Sequence, residues 1–321
     1  MNGVLVVDKP VGPTSFDVVA RVRRAARVKR VGHGGTLDPL ASGVLPVCIG
    51  EATKLAPFLL DAEKAYEFTV RFGSETDTDD AGGRVTATAD ASGLDAAAVE
   101  GALGAFRGPI SQVPPAYAAI KREGRALYDY ARAGETVEVA PRAVTIFALE
   151  LVSFGGPEQV ALRVHCSKGT YVRALARDLG RALGTGGHVT ALRRTRSGPF
   201  ALDRARPLDQ VLAALGSGAG LDLVSLADAL VHLPAVAADE ALARRLRAGQ
   251  RVAWSTLTDS PPGRVRVLDP AGELIAVAEP RPPGPDDGPG EGLVRTLRVF
   301  GAASQKPAAD LTASVDEGAI L

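Results

Sequence analysis

The chain is short of the residues that most often announce a cofactor, a metal or a covalent framework. Its 321 residues include two cysteines, four histidines, one methionine and one tryptophan. Cys48 and Cys166 lie far apart, which excludes a disulfide scaffold and a Cys-rich metal knuckle; two core thiols in a reducing compartment fit better. His33, His165, His188 and His232 are scattered, with no His-x-x-x-His pair, so no metal site is expected. A phosphate loop of the G-x-x-x-x-G-K-[ST] type and a serine nucleophile elbow are both missing. No long apolar run is present either. The first residues, "MNGVLVVDKP", are apolar only briefly and then charged, which fits neither a leader peptide nor a membrane span and points to a cytoplasmic protein.

An excess of charge of one sign is also lacking, since 37 Lys and Arg face 37 Asp and Glu. The average hides a segregated distribution. Arg21, Arg23, Arg24, Arg27, Lys29 and Arg30 crowd one stretch, and Arg173, Arg177, Arg181, Arg193, Arg194 and Arg196 crowd another. The acids gather elsewhere, at 75–80 and 286–291. A neutral protein patterned this way can carry a basic face.

What is present reads as an α+β protein with a mixed, largely antiparallel sheet flanked by helices. "GVLVV" is a buried strand, and "PTSFDVVARVRRAARVKR" a helix capped by Thr14 or Ser15, with Val18, Val19, Val22 and Ala26 on its apolar stripe. A glycine loop follows at 32–35, then a strand "GVLPVCIG" and a helix "EATKLAPFLL". In "KAYEFTVRF", Tyr66, Phe68, Val70 and Phe72 share one strand face. "AVTIFALELVSF", "QVALRVHCS" and "HVTALRRTRSG" are further strands, with the helix "TYVRALARDLGRALG" before the last. The texture changes near Leu230. The expected organisation is a domain over 1–230, a small β-rich domain over 231–300 with a flexible Pro/Gly/Asp insertion at 280–292, and a disordered tail at 301–321.

Two positions ask for a chemical explanation. Asp38 stands between a glycine loop and Pro39, and a residue before proline is held in extended geometry. A rigid carboxylate there suits a nucleophile or base, although a plain Asp-Pro turn explains it as well. Arg173 falls in the first turn of a helix whose expected N-cap is Thr170. A cation there opposes the helix dipole at a cost of about 0.3–1 kcal/mol, and a nearby anion, Asp38 or a phosphate, would offset that cost. Arg177 and Arg181 fit a solvated helix face. Tyr66 fits the core as well as a site, and His33, in the glycine loop, is expected to be exposed.

Five segments in order then carry a resemblance. They are "VDKPVGPTSFDVV", "GHGGTLDPLASGVLPVCIGEATK", "KAYEFTVRFGSETDTDDAGG", "QVPPAYAAIKREGRALYDYARAGE" and "VHCSKGTYVRALARDLG", within 3–198. Together they closely resemble the TruB family of tRNA pseudouridine synthases. The resemblance implies a pseudouridine-synthase fold, a C-terminal domain of the PUA RNA-binding type, and isomerisation of uridine-55 in the T loop of tRNA. The implied catalytic residues are Asp38, Tyr66 on the base, and Arg173 beside the aspartate. The RNA-binding set is His33, which fills space left by flipped-out bases, with Lys9, Lys64, Tyr171 and Arg193. No cofactor and no metal are implied; the partner is the T stem-loop, and the protein is expected to be a monomer. Gly34 departs from the larger residue usual in relatives and is expected to loosen the loop around His33. Two rivals stand beside this reading. One is a non-catalytic RNA-binding protein on the same scaffold. The other is a nucleoside or sugar hydrolase using Asp38 as nucleophile, for which the partner acid that most glycosidases need is not evident.

Overall fold

The computed structural model describes residues 1–118, 121–122, 125–126, 130, 133, 135, 137, 139–257, 263–281 and 293–301. The insertion expected at 280–292 falls outside them from 282 onward, and so do the tail beyond 301 and much of the fourth family-like segment beyond Ala118. The chain forms two compact units, Met1–Pro234 and one beginning at Ala235, so the division falls just past the expected one.

The first unit runs β1 (Gly3–Lys9), α1 (Ser15–Ala25), β2 (Val31–His33), β3 (Ala41–Ile49), α2 (Ala56–Leu60), β4 (Lys64–Phe72), the pair β5 (Ser74–Thr76) and β6 (Val85–Thr88), α3 (Ala96–Leu103) and β7 (Gly108–Gln112). It continues with the pair β8 (Lys121–Arg122) and β9 (Arg125–Ala126), then β10 (Arg142–Phe154), β11 (Val160–Cys166), α4 (Val172–Ala182), β12 (Gly187–Ser197), β13 (Phe200–Ala201), β14 (Arg206–Pro207) and α5 (Leu208–Ser217).

One sheet dominates this unit, in the order β14-β1-β3-β12-β4-β11-β10-β7, with β2 added on β3 and β13 on β12. The β1–β14 and β3–β12 pairs are parallel, and the other pairs of this sheet are antiparallel. The β4 alternation holds: Phe68, Val70 and Phe72 join the core formed with Val18, Val22, Leu175 and Leu179. On α1, Thr14 and Asp17 form a reciprocal capping box, so Thr14 and not Ser15 is the cap. Ser15 turns inward instead. Its hydroxyl donates to the Leu37 carbonyl at 3.1 Å and accepts from the Leu37 N–H at 2.8 Å, which ties the start of α1 to the segment before Asp38.

The supposed glycine loop is partly strand, since Gly32 and His33 pair with Cys48 and Val47 of β3. His33 is accordingly half-buried rather than exposed. Gly34 does not loosen it: a Cβ there would lie 2.8 Å from Leu59 side-chain atoms, so Leu59 fills the space a larger residue would take. Glycine is required at Gly43, where φ is +102° and a Cβ would lie 2.2 Å from the Arg194 carbonyl oxygen across the β3–β12 pair.

The second unit holds β15 (Ala235–Ala237), α6 (Glu240–Arg247), β16 (Val265–Leu268), β17 (Leu274–Arg281) and β18 (Leu293–Val299). Its sheet order is β15-β16-β17-β18, over a separate core that includes Leu246, Val265, Val267 and Ile275. Among the described residues no helix is long and apolar enough to cross a membrane.

Candidate active site

Asp38 and Arg173, far apart in sequence, meet. The Arg173 Nε lies 2.9 Å from Asp38 Oδ2; the carboxylate stays about one-third exposed while the guanidinium is buried. The helix begins one residue later than expected, with Tyr171 at the N-cap and no side-chain cap bond, because the Thr170 hydroxyl donates to the Ser167 carbonyl. Arg173 is therefore still in the first turn. Its charge against the dipole is offset by Asp38, by Asp80 at 3.5 Å, and by the carbonyls of Thr78 (2.8 Å) and Tyr117 (3.0 Å). This is a planar fork used along both edges.

The pair opens on a cavity of about 290 Å³ lined by Asp38, Tyr66, Lys64, Tyr171, Arg173 and Arg194 among others. Tyr66 sits on β4 in register with Arg194 of β12. Burial pushes its phenol pKa up, against the pull of the Arg194 guanidinium. The Tyr171 phenol is also pushed up by burial, and the Tyr171 backbone is held at both ends by the Gln112 side-chain amide, at 2.8 and 3.0 Å.

Arg194 is the residue that sequence reasoning missed. It is 1% exposed and donates to the carbonyls of Val44 (2.8 Å), Thr36 (3.1 Å) and Gly35 (3.1 Å), so it braces the strand and loop that carry Asp38. A signal was available: side chains alternate along a strand, and Leu192 and Arg194 therefore share the face opposite Arg193. Arg193, named as an RNA contact, points elsewhere, to Asp8 at 2.7 Å and the Ser42 hydroxyl at 3.2 Å, and does not line this cavity.

The two lysines named as RNA contacts are buried. Lys9 has no exposure and donates to the Pro10 (2.9 Å) and Pro13 (2.8 Å) carbonyls. Lys64 donates to Leu60 and Ala62 at 2.6 Å each. Burial lowers both ammonium groups to about 8, and for Lys9 the Asp38 charge pulls the other way. Their hydrogen bonds go to backbone carbonyls; Lys64 lines the cavity, and Lys9 does not. His33 accepts a long bond (3.4 Å) from the Gly35 N–H, and burial followed by the Arg194 charge lowers its pKa.

The acids at 75–80, distant from the arginines in sequence, pack against α4. Arg177 pairs with Asp79 at 2.8 Å, and Arg181 with both oxygens of Glu75 at 2.8 Å. Arg177 is 8% exposed, so the solvated-face expectation fails for it and holds only for Arg181. Among the described residues no three His, Cys, Asp or Glu side chains gather in a metal-ligating group.

A fixed carboxylate, a phenol and a buried cation around a cavity fit acid–base or covalent chemistry. Comparisons with known proteins agree in kind. Residues 23–172 match the model of the TruB family pseudouridylate synthase N-terminal domain, and 173–233 that of the tRNA pseudouridylate synthase B C-terminal domain. The second match ends inside the first structural unit. The tRNA pseudouridine synthase B of Burkholderia pseudomallei (strain 668) is 52% identical over 282 residues, covering 87% of this chain and 93% of that protein. Its namesake from Bradyrhizobium diazoefficiens is 49% identical over 287 residues, covering 87% of this chain and 82% of that protein. Among solved structures, a Cbf5-Nop10-Gar1 complex gives a TM-score of 0.72 at 28% identity, over 92% of this chain and 84% of that one. An H/ACA RNP bound to a substrate RNA containing 2'-deoxyuridine gives 0.70 at 26%, over 94% and 86%.

Proposed function

The chain belongs to the TruB family of pseudouridylate synthases and forms pseudouridine in tRNA; we propose that its target is uridine-55 of the T loop and that Asp38 is its catalytic carboxylate. The observation that carries the assignment is the 2.9 Å pair of Asp38 and Arg173 at the mouth of a cavity walled by Tyr66. The target base leaves its stack to enter that cavity, at a cost of a few kcal/mol. Asp38 then assists rupture of the N1–C1′ bond, acting on the sugar C1′ or on the base. The uracil turns in place, C5 bonds to C1′, the C5 proton departs and N1 gains one, so the reaction balances as an isomerisation. Tyr66, which lines the cavity, is assigned to stack on the ring and to assist removal of the C5 proton. Arg173 holds the Asp38 carboxylate in one orientation, and Arg194 braces the segment that carries it.

His33 and Tyr171 are assigned to the RNA, one filling space vacated by flipped bases and the other lining the cavity. The second unit is read as an RNA-binding module of the PUA type acting in the cytoplasm on the same tRNA. Part of its basic character is neutralised internally, since Arg247 pairs with Asp269, and Arg264 and Arg295 with Glu279. The protein is read as a monomer.

The test is incubation of an unmodified tRNA transcript with the protein, followed by mapping of pseudouridine. One product at position 55 is expected. Product only at other positions would overturn the target assignment, and release of free uracil would favour the hydrolase.

A further inference from the structure

Among the described residues only two besides glycine have positive φ, Asp79 at 59° and Arg27 at 52°. Such a backbone is strained for a side chain with a Cβ. For Asp79 the molecule itself supplies the reason: the carboxylate pairs with Arg177 at 2.8 Å, and the backbone exchanges hydrogen bonds with Thr76 and Val189. Arg27 has no such return. It follows the C-cap Ala26 of α1, in the left-handed slot of a helix-ending motif, with Arg27 N–H donating to Arg24 O and Val28 N–H to Arg23 O. Glycine is the usual occupant of that slot. Here the slot holds an exposed arginine, and among the described residues no carboxylate pairs with its guanidinium, nor with Arg23, Arg24 or Lys29.

The bland explanation is that cations at a helix C-terminus favour the dipole. It serves Arg23 and Arg24. It does not serve Arg27, whose position favours glycine and whose neighbours three and four residues back carry like charge, which destabilises the helix further. A local rule broken without an internal gain points to a partner outside the molecule.

We propose that the C-terminal end of α1, with Arg27 at its tip flanked by Arg23, Arg24 and Lys29, binds the phosphate backbone of the substrate RNA. The proposal rests on the reading above that the substrate is tRNA. The start of α1 is tied to Leu37, next to Asp38, by the two Ser15 bonds. Eleven helical residues rising about 1.5 Å each place the basic end about 16 Å along the axis from that tie. The patch therefore meets backbone flanking the target nucleotide, not the nucleotide in the cavity. It adds affinity and register, and takes no part in the chemical step.

Binding of the intact protein to an unmodified tRNA transcript is measured across a salt series, alongside single-turnover conversion at saturating protein and the thermal midpoint. Arg27→Gly is expected to raise Tm while weakening binding at low salt several-fold. It should also flatten the slope of log affinity against log salt by about 0.7–0.9. Arg27→Lys should keep the slope. A triple Arg23→Gln/Arg24→Gln/Arg27→Gln variant should flatten it by about two to three units, with conversion at saturation unchanged. A wild-type slope and affinity in Arg27→Gly and in the triple variant would overturn the proposal, whatever the Tm. Normal binding by the wild type without any pseudouridine would instead overturn the assigned activity, and the salt comparison would still decide the patch.

Discussion

Two helices carry most of the clustered arginines, and the molecule treats them in opposite ways. On α4, Arg173, Arg177 and Arg181 each find an acid from the 75–80 segment, and Arg173 adds Asp38. On α1 and just past its C-cap, Arg23, Arg24 and Arg27 are exposed with no carboxylate partner among the described residues. Two similar compositions thus have different physical meanings. The α4 charges are spent inside the fold: they knit a helix to a loop and leave one carboxylate, Asp38, pinned at the edge of a cavity. The α1 charges are left for something else. A basic cluster in a sequence therefore says little until its counter-ions are located.

The strongest way to break the comparison is Asp38→Asn. Arg173 keeps Asp80 and two carbonyls, so the helix stays docked and tRNA binding should remain within several-fold of wild type. Pseudouridine formation should be lost. Single-turnover conversion close to wild type would remove Asp38 from the chemistry and reduce the α4 network to scaffolding.

Next comes Arg177→Met. It strands Asp79, a carboxyl whose pKa burial raises although Arg177 opposes the shift. Removing one partner of a buried pair costs about 3–5 kcal/mol, whereas Arg181→Met, which breaks an exposed pair, should cost about 1 kcal/mol or less. Urea unfolding of both variants measures the contrast. Equal losses would show that burial does not separate these two arginines.

Arg173→Lys sharpens the point at the site itself. The charge is kept, but an ammonium cannot serve Asp38, Asp80 and two carbonyls from one plane. Each carbonyl left unpaired costs about 1–3 kcal/mol, and a loss of that size in the transition state is roughly 5- to 150-fold in rate. The effect should fall on kcat more than on KM. A wild-type kcat would mean that charge alone positions the carboxylate.

Much of this was legible in the sequence, for identifiable reasons. Strand β4 was readable because hydrophobic alternation is a local signal, and Arg173 stood out because a cation in a first turn violates a local rule. The acids of 75–80 were read as remote from the arginines, since pairing across a hundred residues leaves no local trace. Lys9 and Lys64 were named as RNA contacts only through the family resemblance, which carries no information on where their ammonium groups turn. Only the fold shows their ammonium groups turned onto backbone carbonyls. Arg193 and Arg194 are adjacent in sequence and opposite in space, and Arg194 is the one that lines the cavity, a difference that only the strand's alternation marks.

The smallest effect tests those two lysines. Their folded pKa of about 8 lies below the ordinary 10.5. Between these values the unfolded chain holds the protons that the folded one has released, so stability rises as pH climbs through 8. The rise does not run its full course. Burial raises Cys48 to about 12 and Cys166 to about 11 from 9, so above pH 9 the unfolded chain loses thiol protons that the folded one keeps. That lowers stability as pH increases. The lysines therefore dominate only between about pH 8 and pH 9, with a net gain on the order of 1 kcal/mol, and the curve flattens above that window. Urea midpoints taken across it should show the gain in the wild type. In Lys9→Met roughly three-quarters of that net gain should vanish, because the opposing thiol contribution is untouched, even if the baseline stability shifts because the Pro10 and Pro13 carbonyls lose their donor. A wild-type profile that is flat or falling from pH 8 to 9 would mean that the two ammonium groups titrate as exposed lysines do, and that burial does not lower their pKa in the folded chain.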